Sequence, residues 1–142
     1  MRGRRLETDD DLREALIAAK TVAVVGLSPH PHRDSHRVAA YLQATGYRIV
    51  PIHPSGGTIL GEPARARVAD VASTERVDLV DVFRRPDALP ELVSDLPEGS
   101  GRTLWLQLGV SHSQAEDSAL AAGWNLVVDR CALVEHRRLL GM

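Results

Sequence analysis

The stretch TVAVVGLSPHPHRDSHRV, from Thr21 to Val38, concentrates the residues whose spacing could do chemistry. An apolar run, Val22 to Val25, stops at Gly26 and becomes a short loop, Leu27-Ser28-Pro29. It resumes after Ser35 as apolar residues at helical spacing, Val38, Ala39 and Leu42, closed by Gly46. A strand feeding a tight turn and then a helix points backbone N–H groups and the positive end of a helix dipole into the space between them, which suits an anion. Ser35 reads as the helix N-cap. The loop lacks the G-x-G-x-x-G spacing of dinucleotide sites, so the pattern alone fits either a phosphate or nucleotide site or an ordinary tight connection.

Other groups bear on that loop. Arg84 and Arg85 follow an apolar run ending at Phe83, and together with Arg33 and Arg37 they could pair with phosphates or stay solvated. His30, His32 and His36 are of metal-binding type, but Asp34 is the one carboxylate beside them and no cysteine is near, so they read as exposed loop histidines and no metal site is assigned. Cys131 and His136 are the types of a nucleophile and its base. Their spacing fixes no geometry, and a lone cysteine is more often a small buried hydrophobe, so no catalytic residue is assigned. Asp78 and Asp81 interrupt the apolar run VDLVDVF and read as core carboxylates satisfied by loop amides or an arginine.

The elements that must position these groups alternate along the chain. Thr8 to Lys20 predicts a helix capped by Thr8 or Asp9, with acids in its first turn and Leu12, Ala15, Leu16 and Ala19 on one face. It is expected to close one end of the sheet, with the first residues, through about residue 7, unstructured and their arginines solvated. Tyr47 to Ile52 is a second strand, ended by His53-Pro54. A turn-rich loop, Ser55 to Gly61, precedes a short edge strand and a weak helical turn around Val68 to Val71. Val77 to Phe83 and Thr103 to Leu108 are strands. The segment from Asp87 or Ala88 to Leu96 is a helix, as is Gln114 to Ala122, capped by Ser111 or Ser113. Asn125 to Val128 is the last strand and Glu135 to Leu140 a final helix.

This alternation predicts a doubly wound α/β fold with about five parallel strands ordered roughly 3-2-1-4-5. In such sheets ligands sit beyond the C-terminal strand ends where the order reverses, here between the first strand and the one ending at Phe83. Gly26 to Arg33, His53-Pro54, Phe83 to Pro86 and Gln107 to Val110 would then surround one crevice. A carboxylate that would hold the ribose of an ordinary NAD site is missing from the second strand's end, which disfavours hydride chemistry.

The totals narrow the classes. At 142 residues the chain fits one domain, residues 1–142. Hydrophobic residues at 44% and charged residues at 25% describe a soluble globular protein. A net charge of −2, with two tryptophans, two tyrosines and one phenylalanine, supplies neither a polyanion field nor a stacking surface, so nucleic acid is not expected as a partner. No apolar stretch approaches the roughly 20 residues that span a bilayer, the N-terminus lacks an apolar signal core, and the single cysteine agrees with a reducing compartment. A cytoplasmic location with no membrane association is expected.

Taken in order, VAVVGLSPHPHRDSHRVAAYL, YRIVPIHP, VDLVDVFRRPDALPELV, LWLQLGV and VVDRCALVEHRRL resemble the small stand-alone CoA-binding proteins of bacteria and archaea. Their domain is also similar to the N-terminal CoA-binding domain of succinyl-CoA synthetase alpha subunits and ADP-forming acyl-CoA synthetases. The likeness runs from about Asp11 to Leu139. It implies a Rossmann-like domain holding coenzyme A or an acyl-CoA, with the diphosphate at Gly26, Leu27, Ser28 and Pro29 and at the following helix start, where Arg33 and Ser35 lie. It further implies an adenosine-side wall at Phe83, Arg84, Arg85 and Pro86, and a pantetheine-side loop at Gln107, Leu108 and Gly109. Where the family ends a strand in Val-Asn-Pro, this chain has Val50-Pro51-Ile52-His53-Pro54, placing His53 and Pro54 at that contact. The ligase domain that carries a phosphorylated histidine in the larger synthetases has no counterpart here. The expectation is therefore a CoA or acyl-CoA binder without catalysis of its own. The alternatives are a nucleotide-dependent enzyme, either a degenerate NAD(P) oxidoreductase or a synthetase component needing a ligase partner, and a CoA-sensing module that acts on a protein partner.

Overall fold

In the computed structural model, which describes residues 1–141, the chain opens with α1 (Asp9–Ala18) and enters the sheet as β1 (Thr21–Val25). Next come α2 (Asp34–Ala44), β2 (Arg48–Ile52), a small hairpin of β3 (Thr58–Ile59) and β4 (Glu62–Pro63), α3 (Val68–Ala72) and β5 (Leu79–Val82). A single 3-10 turn, Pro86–Ala88, leads into α4 (Leu89–Asp95); β6 (Thr103–Leu106), α5 (Ser113–Ala121), β7 (Asn125–Val127) and α6 (Ala132–Leu139) complete the chain.

Five parallel strands form one sheet in the order β2-β1-β5-β6-β7, so the direction of winding reverses between β1 and β5, as the sequence predicts. The position expected outside β2 is held by a single bridge between Ile52 and Arg65, because Glu62 and Pro63 pair with β3 instead. Period-two alternation assigns the faces. Val22, Val24, Leu79 and Trp105 face Leu12, Leu16, Val38 and Leu42 of α1 and α2, with α6 alongside, while Ala23, Val25, Val80, Val82 and Leu104 face Leu89, Val93 and Ala119 of α4 and α5. Thus α1 lies along a face of the sheet and does not close an end. The two buried indoles are both satisfied, Trp105 donating to the Arg130 carbonyl at 2.9 Å and Trp124 to that of Pro97 at 3.0 Å. Among the described residues, no helix is long and apolar enough to cross a membrane.

Several local expectations are corrected. The N-terminal segment is laid along β7: Leu6 donates to the Leu126 carbonyl at 2.7 Å, Leu126 returns a bond to Arg4 at 3.0 Å, and Arg5 pairs with Glu116 at 2.8 Å. Gly3 packs so tightly there that a Cβ would stand 1.9 Å from the Trp124 carbonyl oxygen. Thr8 caps α1 as predicted, accepting from the Asp11 amide. The cap of α5 is His112, whose ring nitrogen accepts from Ala115 N while Glu116 accepts from His112 N; Ser113 is already the first helical residue. Asp78 holds the amides of Lys20 and Thr21 at 2.9 Å each, as expected of it. Asp81 does not follow: it is fully buried and both carboxyl oxygens are without a partner.

At the opposite end of the sheet from the strand C-termini, His136 ties three helices together. Its Nδ1 meets the Tyr41 hydroxyl at 2.9 Å, the rings of Tyr41 and Tyr47 stand edge-on to it at 5.3 and 5.7 Å, and Tyr47 donates to the Leu16 carbonyl. His136 Nδ1 is thus engaged by Tyr41, while Cys131 stands at the N-cap of α6. Burial disfavours the imidazolium and holds His136 below the usual histidine value. The folded chain binds fewer protons here than the unfolded one. The contribution of the neutral ring is therefore present above the ordinary value of 6.5 and lost as pH falls through the lowered one. Calorimetric unfolding between about pH 8 and pH 5 is expected to show a midpoint that falls below that value, and a shallower fall in His136→Gln; parallel curves would refute this role.

Candidate functional site

The crevice is built from the turn that ends β1. Phe83 N–H donates to Val25 O at 2.9 Å, which brings the end of β5 against the turn, and Gly26 N–H donates to Ile52 O at 3.1 Å on the other side. Gly26 has φ of +80°, and a Cβ there would stand 2.1 Å from the Phe83 carbonyl oxygen. Only glycine fits, because both the conformation and the space exclude a side chain. Leu27 is fully buried and anchors the loop in the core below.

Ser28 and Ser35 then set the loop's shape. Ser35 is the second residue of α2, not its cap, and its Oγ accepts from the Ser28 amide at 2.9 Å; Ser28 Oγ in turn accepts from His30 N at 3.1 Å. The Ser28 amide is thus spent inside the loop. Donors toward the crevice come from the helix itself. The N-cap is Arg33, with no side-chain cap, and the first helical bond runs from Arg37 N to Arg33 O at 3.1 Å, leaving the amides of Asp34, Ser35 and His36 ahead of it. Uncapped first-turn amides at the positive end of an eleven-residue helix are a ready anion site.

Two cavities meet over the end of β1. On the α2 side an open cleft of about 740 Å³ is walled by Gly26, Ser28, Arg33, Ser35 and Phe83, with His30, His32 and Asp34 also lining it. On the opposite face a smaller cavity of about 340 Å³ is lined by the apolar side chains of Val25, Ile52, Pro54, Ala88 and Leu92, with Arg67, Arg84, Glu91 and Asp95 among the polar ones. Arg84 joins the two, since its Cδ lies 3.3 Å from where a Gly26 Cβ would be. Among the described residues neither Arg33 nor Arg84 has an acidic partner, whereas Arg37 pairs with Asp34 at 2.6 Å and Arg85 with Asp87 at 3.6 Å. The rings of His30 and His32 are 5.8 Å apart, and among the described residues no three His, Cys, Asp or Glu side chains converge on a metal position.

The structure therefore gathers Gly26, Ser28, Arg33, Ser35 and Phe83 around the polar cleft and Pro54 and Arg84 around the apolar one, with Leu27 beneath and Pro29 in the loop between Ser28 and His30. Other residues singled out from the sequence lie outside both. His53 folds back to accept from Ser55 N at 3.2 Å, Arg85 is exposed, and Pro86 begins the 3-10 turn. Gln107 is buried, its Oε1 accepting from Ala132 N at 3.0 Å and so fixing the start of α6. Gly109 N–H donates to Asp129 at 2.7 Å, and Leu108 between them is 64% exposed at the neighbouring strand end. Sequence reasoning missed Val25, Ile52, Arg67 and Leu92 as cavity walls. Val25 and Ile52 read simply as strand interior, and Arg67 stands just before the weak helical turn read at Val68 to Val71, with nothing in its neighbourhood to mark it as a cavity wall.

A family model described as a CoA binding domain matches residues 20–137. An uncharacterized protein of Bacillus subtilis (strain 168), YneT, is 32% identical over 126 residues, covering 89% of this chain and 92% of that one. Among solved structures, a hypothetical protein from Pyrococcus horikoshii OT3 is similar at 35% identity and a TM-score of 0.89, over 95% of this chain and 94% of that one. A Thermus thermophilus protein aligns at 41% identity and a TM-score of 0.82, over 94% of this chain and all of its own.

Two substitutions test the loop. Ser35→Ala removes the acceptor of the Ser28 amide and is expected to cost about 1 kcal/mol, lowering the thermal midpoint by roughly 3 °C. Gly26→Ala forces a Cβ against Phe83 O and a residue into left-handed φ, for a loss of at least ~2 kcal/mol by chemical denaturation. A Gly26→Ala protein as stable as the parent would contradict the close approach.

Proposed function

Since the chain belongs to the family of CoA-binding domains, we propose that it binds coenzyme A or an acyl-CoA across the two cavities at the end of β1. The observation that carries this reading is the uncapped α2 N-terminus beside a glycine that admits no side chain, with Arg33 and Arg84 lacking an acidic partner on either side. Their free guanidinium groups match the phosphates of CoA in charge and in hydrogen-bonding geometry. The diphosphate lies over the amides of Asp34, Ser35 and His36, with Gly26 allowing the ligand to approach the backbone. Between Pro54, Ile52 and Leu92 the apolar cavity takes the adenine ring, with Arg84 reaching the adenosine phosphate. Pantetheine runs past Phe83 toward the exposed Leu108, so that the thiol or acyl end reaches the rim of the sheet. Arg85, exposed and paired with Asp87, contributes little, which refines the reading from sequence that treats Arg84 and Arg85 alike.

Isothermal calorimetry with CoA, adenosine 3′,5′-bisphosphate, NAD and NADP tests the assignment. CoA is expected to bind, the bisphosphate more weakly, and the nicotinamide nucleotides not at all. Arg33→Ala and Arg84→Ala are each expected to weaken CoA about tenfold, in keeping with the loss of a charged hydrogen bond, and Arg85→Ala to change affinity less than threefold. Heat evolved with NAD or NADP alone would overturn the proposal.

A further inference from the structure

Asp81 is a group that no role assigned so far employs. It sits in the middle of β5, opposite Val24 on β1 and Trp105 on β6, at 0% exposure, with both carboxyl oxygens unpartnered. A buried carboxylate without a hydrogen bond or counter-charge is among the costliest arrangements in a protein interior, and such a group sheds the cost by keeping its proton. Burial alone acts on Asp81, holding it well above the usual carboxylate range.

Its position gives that proton a consequence. Asp81 and Phe83 are two apart on one strand and so share a face, the one covered by α2 and α6, and Phe83 walls the polar cleft. Asp81 thus lies one pleat, about 7 Å along the strand, behind Phe83, which lines the cleft assigned to the diphosphate. Val24 and Trp105, both fully buried, flank it. The ionisable groups of the helices on this face are otherwise occupied. On α6, Glu135 is held by Arg130 at 2.6 Å and by Arg138 at 3.2 Å, and His136 meets Tyr41 of α2; α1 presents Leu12 and Leu16. Asp34 and Arg37 of α2 pair with each other at 2.6 Å, Arg137 of α6 stacks on Tyr41, and half-buried His36 and Cys131 are the remaining ones. Among the described residues none of these is bonded to Asp81.

We infer that Asp81 tunes the charge of the site: the crevice holds a polyanion more tightly while this carboxyl is neutral, so that ligand binding and retention of the Asp81 proton favour one another. The inference rests on the proposed diphosphate site and adds a proton to its binding equilibrium. Two negative charges about 10 Å apart across protein interior repel by an amount worth roughly tenfold in affinity at an effective dielectric of 20. Linkage makes the effect reciprocal, so a bound anion raises the pH at which Asp81 ionises by the same factor.

Two measurements test it. In the first, CoA affinity is determined by calorimetry on either side of the Asp81 midpoint that the second locates, for the parent protein and for Asp81→Asn, whose amide cannot ionise. His30, His32 and His36 are common to both proteins, so whatever they contribute cancels in the comparison. The ratio of dissociation constants between the two pH values is expected to be about tenfold larger for the parent, and equal ratios would overturn the inference. In the second, carbon-13 carboxyl resonances of unsubstituted protein are followed through a pH titration with and without CoA, which requires no variant to fold. The Asp81 midpoint is expected to move to higher pH with ligand, at about tenfold lower proton concentration; an unmoved midpoint, or a carboxyl ionised at neutral pH in the complex, would also overturn the inference. If CoA does not bind while inorganic pyrophosphate does, the CoA assignment fails and the same two tests proceed with pyrophosphate. Failure of both anions to bind defeats both readings.

Discussion

The carbonyl oxygen of Phe83 approaches Gly26 so closely that no other residue could stand there, and the geometry of the crevice descends from that approach. It exists because β1 and β5 are neighbours in register, Val25 paired with Val82, so the two chains leave the sheet side by side. One turns toward α2 and the other toward α4. The gap opened by that divergence is where the polar cleft and the apolar cavity meet, and Arg84 reaches across it. Strand order, a property of the whole chain, thereby fixes the surroundings of a loop only a few residues long.

The fold was legible because its signals are local and redundant. Each buried strand is a short β-rich run ended by glycine, proline or polar residues, and the alternation with helical patterns leaves few topologies open. The switch point between β1 and β5 followed from that pattern. What could not be read were the side-chain partners that decide ends and caps. Ser35 has the composition of an N-cap, yet its hydroxyl accepts from Ser28 because the loop folds back over the first turn. His112 caps α5 since Glu116 returns to its amide, a reciprocal pairing that the serines on either side of it obscure in the sequence. The N-terminal residues carry three arginines and read as solvated, but Arg4 and Arg5 find Asp11 and Glu116, distant contacts that periodicity does not report.

The same division holds at the site. Gly26, Ser28, Arg33 and Phe83 lie at the cleft because the strand–turn–helix pattern locates them, whereas Gln107 is drawn to α6 and His53 into its own turn. The walls of the apolar cavity come from strand ends and from helices α3 and α4, whose contribution depends on tertiary packing. Asp78 and Asp81 show how far composition can mislead. They are the same residue type in the same strand pattern, yet one gathers two backbone amides and an arginine and the other gathers nothing.

The sheet's borders have an effect of their own. Along β7 the segment from Gly3 to Leu6 takes up the backbone groups, and along β2 Arg65 exchanges bonds of 2.9 Å with Pro51 and His53. Pro51 itself offers no amide. The β7 margin is consequently covered by the chain's own backbone, and the β2 margin at its C-terminal end, which shortens the docking rail left to a strand from another molecule. Growth of this sheet from its β7 side would first require peeling away a piece of the native fold.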